Sequence, residues 1–369
     1  MVHVVSFPGL GLEFTLNRVA FEIFGRPVYW YGIIIACGLL LAVYLCSRWA
    51  PRFGVVPDHI LDLMIFAVPA ALIAIRAYYV IFNLDLYKNV DGSLNWEAIF
   101  RYSDGGLAIY GAIISSAIVL LIFCHVRKVS FLAFADLGVH GLFIGQLIGR
   151  WGNFMNVEAY GGVTDLPWRM CSESIAQDML AQGYVDQAGF QAILDGTLGV
   201  HPTFFYESAW NFIGLILVYL IGRRWRKYDG ECFLFYLCWY GLGRAWIEGL
   251  RTDSLLLVPS MGLRASQLVA GFAVVAGIAA EIVLSRRSAG KALMVPLAVS
   301  ADNRKLQAQV AKKEGVPQDS IALPVEEAYA ELPRAEFLAR TAAYNAELKA
   351  MLEARLNGPA PDENAGENE

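Results

Sequence analysis

FLAFADLGVHGLFIGQLIGRWGNFMNVEAYG, residues 131–161, is the stretch that decides how the chain is read. From Phe131 to Arg150 it is one apolar run. That is long enough to cross a hydrocarbon core of about 30 Å as a helix rising about 1.5 Å per residue. Arg150 therefore stands where a membrane helix is ending, and Asn153, Asn156, Glu158 and Tyr160 follow at short intervals. Arg150, Asn153 and, if the helix continues, Asn156 repeat every three residues and share one side. An arginine at the bilayer centre costs about 2.5–3.5 kcal/mol on insertion scales, and less near an interface. A lone arginine could simply snorkel to the headgroups. The amides and carboxylate beside this one, with Gly149, Gly152 and Gly161 permitting close approach, point instead to a polar pocket at a membrane surface.

The composition agrees. Of 369 residues, 57% are hydrophobic and 17% charged, against about 25% charged in soluble domains. Further apolar runs at 28–47, 59–84, 106–126, 203–222, 232–250 and 262–285 predict about seven transmembrane helices in an all-α polytopic membrane protein. Residues 1–27, with Phe7, Pro8, Phe14, Phe21 and Phe24, read as an exposed or interfacial lead-in without the pattern of a cleaved signal peptide. Five of the six cysteines lie in or beside apolar runs, Cys171 stands alone in a loop, and no CxxC pair occurs. Neither a disulfide framework nor a thiolate metal site is indicated. The lack of a basic patch excludes nucleic-acid binding. No HExxH, GxSG or Walker-type motif appears, and no internal repeat suggests an inverted-repeat transporter.

Arg48 and Arg52 follow the first run, Arg127 and Lys128 the third, Arg223, Arg224, Arg226 and Lys227 the fifth, and Arg286, Arg287 and Lys291 the seventh. The alternate loops hold only Lys88, Arg101, Arg169 and Arg251. By the positive-inside rule the N-terminus is outside, the C-terminus cytoplasmic, and the Arg150–Gly161 stretch opens on the outer face. Residues 154–202 would form a small outer-face head or gate, in a transmembrane domain reaching to about 290. Beyond it, residues 291–369 form an acidic cytoplasmic tail. From Ala301 onward it carries 13 acidic and 8 basic residues, which accounts for the net charge of −5. Residues 335–356 are expected to be an amphipathic helix with Phe337, Tyr344, Leu348, Leu352 and Leu356 as its stripe, and the end after Asn357 to be disordered.

Ionisable residues inside spans usually face the bundle interior and pair there. Here they are Asp62, Arg76, Asp136, His140, Arg150, Arg244 and Glu248; His140 is expected as a satisfied core histidine, bonded to Asp136. Tyr240, Arg244, Glu248 and Arg251 are spaced four, four and three, one helical face. Two helices that each offer an arginine among polar partners suit a phosphate, since each guanidinium presents a planar fork of donors. Around them, His201, Thr203, Tyr206 and Glu207 open the fifth run, Ser103-Asp104-Gly105-Gly106 precedes Tyr110, and Trp30-Tyr31-Gly32 begins the first span. Taken singly these could be caps and belt aromatics. The residues alone support an outward anion pocket, in an enzyme or in a non-catalytic carrier of an anionic phospholipid.

Gly149–Gly161 closely resembles the signature of the phosphatidylglycerol–prolipoprotein diacylglyceryl transferase family of bacterial lipoprotein maturation. The resemblance covers about residues 20–285. Trp30-Tyr31-Gly32, Arg76, Asp104-Gly105-Gly106, Asp136, His201-Pro202, Tyr206-Glu207 and Arg244 with Glu248 and Arg251 all fall in the family's order. It implies a multi-pass enzyme of the bacterial plasma membrane that moves the diacylglyceryl group of phosphatidylglycerol onto the lipobox cysteine of a preprolipoprotein. A thioether forms and glycerol phosphate leaves, with no metal or cofactor required. Carried over, Arg150 is the lipid-phosphate contact and Arg244 the second essential arginine; Tyr31, Asn153, Glu158 and Gly161 match further important positions. Many members carry histidine where this chain has Tyr110. A tyrosine of pKa near 10 is a poor base unless nearby arginines depress it. Tyr110 is therefore expected to position substrate, with thiol activation coming from the arginine field or from Glu158.

Overall fold

The computed structural model describes residues 2–89, 91–101, 105–251, 256–258, 263–289, 293–329 and 332–358. Ser103, Asp104, Lys291 and the acidic end from Pro359 onward lie outside the described residues. In chain order, hairpins β1 (Val2–Phe7) with β2 (Leu12–Asn17) and β3 (Val19–Ile23) with β4 (Arg26–Tyr29) lead into α1 (Trp30–Trp49). Then come α2 (Asp58–Phe82), a short α3 (Trp96–Phe100), α4 (Ile109–Arg127) and α5 (Phe131–Asn156). β5 (Val163–Thr164), α6 (Glu173–Ala181), α7 (Gln187–Leu194) and β6 (Gly199–Val200) separate α5 from α8 (Thr203–Leu220). α9 (Glu231–Leu250), β7 (Leu256–Val258), β8 (Leu263–Arg264) and α10 (Ala265–Ser288) follow. The tail holds β9 (Met294–Pro296), α11 (Ala301–Glu314), β10 (Glu327–Tyr329) and α12 (Arg334–Asn357).

Each apolar run is a helix. Among the described residues six helical segments of 19 to 26 residues are long and apolar enough to cross a membrane. The remaining expected span, the sixth at 232–250, is α9; it has 20 residues but carries Glu231, Arg244 and Glu248. Such a helix fits a membrane only with its charges turned into the bundle.

The chain groups into two compact units, residues 1–46 with 135–293 and residues 47–134 with 294–369. In the first, Trp210 of α8 and Trp239 of α9 stack with centroids 4.3 Å apart. Each indole N–H donates to the other's main-chain carbonyl at 3.0 Å. Each ring sits over a glycine of the opposite helix: an added Cβ on Gly243 would lie 2.3 Å from Trp210 Nε1, and on Gly214 2.6 Å from Trp239 Nε1. At the other end of α9, buried Asp136 accepts from the main-chain N–H groups of Gly230 (2.8 Å) and Phe233 (2.9 Å). A carboxylate from α5 thus caps the first turn of α9, where unpaired donors and the helix dipole favour negative charge. His140 is buried as expected, but its Nδ1 meets the main-chain oxygen of Asp136 at 2.9 Å rather than the carboxylate. Arg226, grouped by sequence with the loop cations, is instead buried, its Nη1 3.8 Å from Asp136.

The lead-in differs from expectation. β1 alternates in burial, with Val5 and Phe7 buried, and β2 contributes buried Leu16. They share one core with Phe154 and Val157 at the end of α5, Met170, Ile175, Met179 and Ile193 of the 154–202 segment, and Phe204 of α8. Main-chain bonds of 2.9 Å in both directions between Ser6 and Cys171 zip β1 to that segment. The amino-terminal strand is part of the head, because an alternating strand buries one face only when another element covers it.

In the second unit α2 packs along α4, and Arg127 pairs with Asp62 at 2.6 Å. The expected tail helix is α12, with Phe337, Tyr344, Leu348 and Leu352 buried and Leu356 half-buried. The Arg52 guanidinium lies 5.8 Å from the Phe337 ring and donates to the Leu332 carbonyl.

Replacing Asp136 by alanine uncaps α9 and removes a carboxylate that, with Asp229, faces buried Arg226. A loss of about 2–4 kcal/mol is expected, read as a lowered melting temperature of the purified protein. Asp136→Asn keeps one acceptor and should lose roughly half as much.

Candidate functional site

α5 persists to Asn156, so Arg150, Asn153 and Asn156 do share one side. The helix ends in a Schellman turn: Val157 N–H donates to Phe154 O at 3.0 Å and Glu158 N–H to Asn153 O at 3.1 Å. The left-handed position falls on Val157, with φ +53°, where glycine is usual. That backbone costs a residue with a side chain about 1–2 kcal/mol. Burying a valine contributes about 1.5–3 kcal/mol, and Val157 is 6% exposed within the head core, so packing wins. Ala159 is also left-handed, φ +56°, and its carbonyl accepts from the Thr203 hydroxyl. Between these two turns Glu158 is held exposed. Its Oε1 accepts from Asn153 Nδ2 (3.0 Å) and Asn156 Nδ2 (3.1 Å).

Glu207, one turn into α8, gathers the cations. Arg150 pairs with its Oε2; Arg244 and Arg251 stand 3.6 and 3.4 Å from its Oε1. Arg244 also pairs with Glu248 at 2.6 Å, and Arg150 reaches Asn153 Oδ1 at 3.4 Å. Trp151 Nε1 donates to Ser208 Oγ (3.1 Å), which donates to Leu147 O (3.0 Å). These bonds tie α5 to α8 beside the Arg150–Glu207 pair. The Glu207 side chain is 4% exposed, whereas Arg150, Arg244 and Arg251 keep 21, 20 and 12%. The carboxylate lies behind and the guanidiniums keep accessible edges. Three guanidiniums against Glu207 and Glu248 leave one positive charge, in surroundings where the field is stronger than in water. The arrangement can hold an anion that presents several oxygens.

Arg251 reaches this cluster by a route the spacing did not foresee. α9 stops at Leu250, and Arg251 has extended backbone bridged to Gly161. It therefore stands just past the helical face that carries Tyr240, Arg244 and Glu248. Tyr240 stacks on Tyr236 with centroids 5.5 Å apart. Gly161 is needed for close approach: a Cβ there would lie 2.8 Å from both His201 Cβ and Leu250 O. Its N–H donates to His201 O at 2.8 Å, and Gly162 N–H donates to Leu250 O at 2.6 Å. His201 Nδ1 faces Tyr206 Oη at 3.3 Å, and that oxygen accepts from Trp168 Nε1 at 2.6 Å. The Tyr31 ring lies against Gly152, where a Cβ would be 2.7 Å from its Cδ2.

A pocket of about 710 Å³ adjoins, lined by Arg18, Val28, Tyr29, Tyr31, Gly32, Ile33, Ala36 and Asn156. Arg18 was not anticipated. It donates to the Asn156 carbonyl, and its buried Nε has no hydrogen-bond partner. The available signal was weak: Arg18 is one of two arginines in the lead-in, with Arg26, and stands twelve residues before Trp30.

Arg76 and Tyr110 belong to the second unit. Buried Arg76 spends its donors on five main-chain carbonyls, of Ala98, Ile99, Arg101, Gly105 and Gly106, at 2.6–3.1 Å. It organises the loop whose Gly105 and Gly106 are left-handed, φ +78° and +70°. Tyr110 is the second residue of α4, 46% exposed, its ring 6.2 Å from that of Tyr78. Thr252 and Asp253, beyond Arg251, lie outside the described residues. Among the described residues no group of three or more His, Cys, Asp or Glu is placed to hold a metal ion.

Comparison with known proteins places these residues in context. A family profile described as prolipoprotein diacylglyceryl transferase matches residues 18–283, which include every site residue above and exclude the tail. Three curated relatives carry the name phosphatidylglycerol–prolipoprotein diacylglyceryl transferase. That of Clostridioides difficile (strain 630) is 39% identical over 74% of this chain and 97% of its own length. That of Lysinibacillus sphaericus (strain C3-41) is 42% identical over 73% and 93%. That of Bacillus cytotoxicus is 41% identical over 77% and 97%.

Burial lowers the pKa of His201 below its ordinary value, so the folded state holds it neutral at pH 7. As pH falls, the unfolded chain, with an ordinary value near 6.5, takes up the proton first. The stability that neutral His201 contributes is complete above about pH 6.5 and is lost as pH falls through the window beneath it. His3 is shifted in the same direction, chiefly by burial. Thermal melts from pH 7.5 to 5 should show this acid-side loss, and His201→Gln should flatten it.

Proposed function

The chain belongs to the prolipoprotein diacylglyceryl transferase family and transfers a diacylglyceryl group from phosphatidylglycerol to a prolipoprotein; we propose that Arg150, Arg244 and Arg251 grip the lipid phosphate during that transfer. The observation that carries this is the single buried carboxylate of Glu207 holding three guanidiniums whose edges stay accessible. The acceptor is the thiol of the lipobox cysteine in the signal peptide. Its sulfur attacks the glycerol carbon bearing the phosphate ester, and the S–C bond forms as the C–O bond breaks. The electron pair passes to the phosphate oxygen, and glycerol phosphate leaves. Negative charge grows on the phosphate as the bond breaks, so the arginines stabilise the transition state more than the ground state.

A free cysteine has a pKa near 8.5, and the thiolate is the nucleophile. Glu158 receives the thiol proton. Both amides bond its Oε1, which orients the side chain and leaves Oε2 for the substrate. Tyr31, Asn156 and Arg18 border the pocket that takes the lipid. Gly161, His201, Tyr206 and Tyr240 contribute to substrate binding around the arginine cluster, and Glu248 orients Arg244. Arg76 holds the Gly105–Gly106 loop in shape, and Tyr110 positions substrate by hydrogen bonding. The cation-rich loops support a cytoplasmic C-terminus and a site on the outer face of the plasma membrane.

The test is release of glycerol phosphate and a mass gain on a lipobox peptide when the protein meets phosphatidylglycerol vesicles. Arg150→Lys replaces a planar fork by a point charge and should lower kcat/KM by about 10²-fold. Arg150→Ala should abolish turnover. Equal product from Arg150→Ala would refute the phosphate assignment. Glu158→Gln should reduce kcat by about 10²–10³-fold with KM nearly unchanged; a change confined to KM would remove Glu158 from the proton transfer.

A further inference from the structure

The β3–β4 register pairs Ile23 with Arg26, so the turn is Phe24-Gly25 alone. Both residues have positive φ, +49° and +73°, as a type I′ hairpin turn requires. The usual pair is Asn-Gly, because asparagine and glycine tolerate left-handed backbone while a large ring gains nothing from it. Phe24 moreover has its whole surface exposed, at 101%, and Phe21 and Ile23 are half exposed. Nothing lies within 4 Å of a Cβ built on Gly25, so the tip stands clear of the rest of the molecule. A strained, fully solvated phenylalanine opposes both the backbone preference and the hydrophobic effect.

The fold supplies the missing solvent. β4 ends at Tyr29 and α1, a membrane span, begins at Trp30, whose N–H donates to the Arg18 carbonyl at 3.0 Å. The hairpin is thus tied to the bilayer surface at the end where α1 starts. We propose that the Phe24-Gly25 tip is a membrane wedge. The Phe24 ring enters the acyl region of the leaflet at which α1 begins, Phe21 and Ile23 lie at its boundary, and exposed Arg26 meets the headgroups. The occupant of this surface is a phospholipid leaflet, by continuity with the span and by the alternation of apolar Phe21 and Ile23 with polar Glu22. Val28 and Tyr29 of the same hairpin line the 710 Å³ pocket, so the wedge also sets the depth of the pocket rim. That last clause rests on the proposed function; the insertion does not.

The full chain is reconstituted in vesicles of phosphatidylglycerol and phosphatidylcholine, with Cys37 and Cys238 replaced by serine. The other four cysteines are buried. A nitroxide on Phe24→Cys should be relaxed by oxygen and shielded from a water-soluble nickel chelate, whereas one on Glu13→Cys should show the reverse. Equal nickel access at both positions overturns the wedge. Phe24→Asn keeps the turn and removes the ring; the KM for vesicle phosphatidylglycerol should rise by about fivefold or more at unchanged kcat, with no change for detergent-dispersed lipid. An unchanged vesicle KM overturns the link to the pocket. A lipid-buried nitroxide on Phe24→Cys, together with a wild-type protein that forms no product, would count against the transferase reading and in favour of the wedge.

Discussion

A carboxylate almost removed from solvent, Glu207, is the constraint around which the first unit is arranged. A buried charge is tolerable only when opposite charge and hydrogen bonds surround it. Glu207 obtains Arg150 from α5, Arg244 from α9 and Arg251 from the extended residue past α9. With Glu248, which pairs with Arg244, it offsets the repulsion among three like charges gathered on one carboxylate. The carboxylate therefore does two things at once. It makes a dense positive patch stable in a membrane protein, and it stays behind the patch so that the accessible edges belong to the arginines.

Holding that patch in register falls to neutral parts of the fold. The reciprocal Trp210–Trp239 pair sets α8 against α9 between their ends, and Asp136 caps α9 from α5. Glu207 lies one turn before Trp210, and Arg244 follows Gly243, over which the Trp210 ring sits. The aromatic clasp and the ion cluster are neighbouring layers of one interface. The strained end of α5 acts similarly. Val157 is left-handed because its side chain is wanted in the head core, and the consequence is that Glu158 turns outward between two amides.

The same residue type does different work in different surroundings. Arg76 gives its donors to main-chain carbonyls and shapes a loop. Arg226 is buried beside Asp136 and supports a helix start. Arg150, Arg244 and Arg251 share too few carboxylates and keep exposed edges, and so remain able to meet an anion. Arg52, which follows α1, is used in a further way: its guanidinium lies over the ring of Phe337 in the tail, which is outside the family match at 18–283.

Much of this was legible in the amino-acid order. Apolar runs of membrane length give the helices and the 3.6-residue period of 335–356 gives α12, because these depend only on residues within a few turns. The two arginine-bearing stretches were visible for the same reason, as was the Gly105-Gly106 turn. The β1–β2 hairpin was missed although its alternation is plain, because a strand buries one face only if another segment covers it, and that segment is Met170 to Val200, far along the chain. Arg226 does follow the fifth apolar run, between α8 and α9, but its burial beside Asp136 could not be read from composition, which does not tell a solvated loop cation from a buried one. That Glu207 joins three arginines from separate segments, and that Arg251 arrives by an extended backbone beside Gly161, was decided only by packing. Local periodicity reports which residues share a face, whereas the meeting of faces depends on which helices the core brings together.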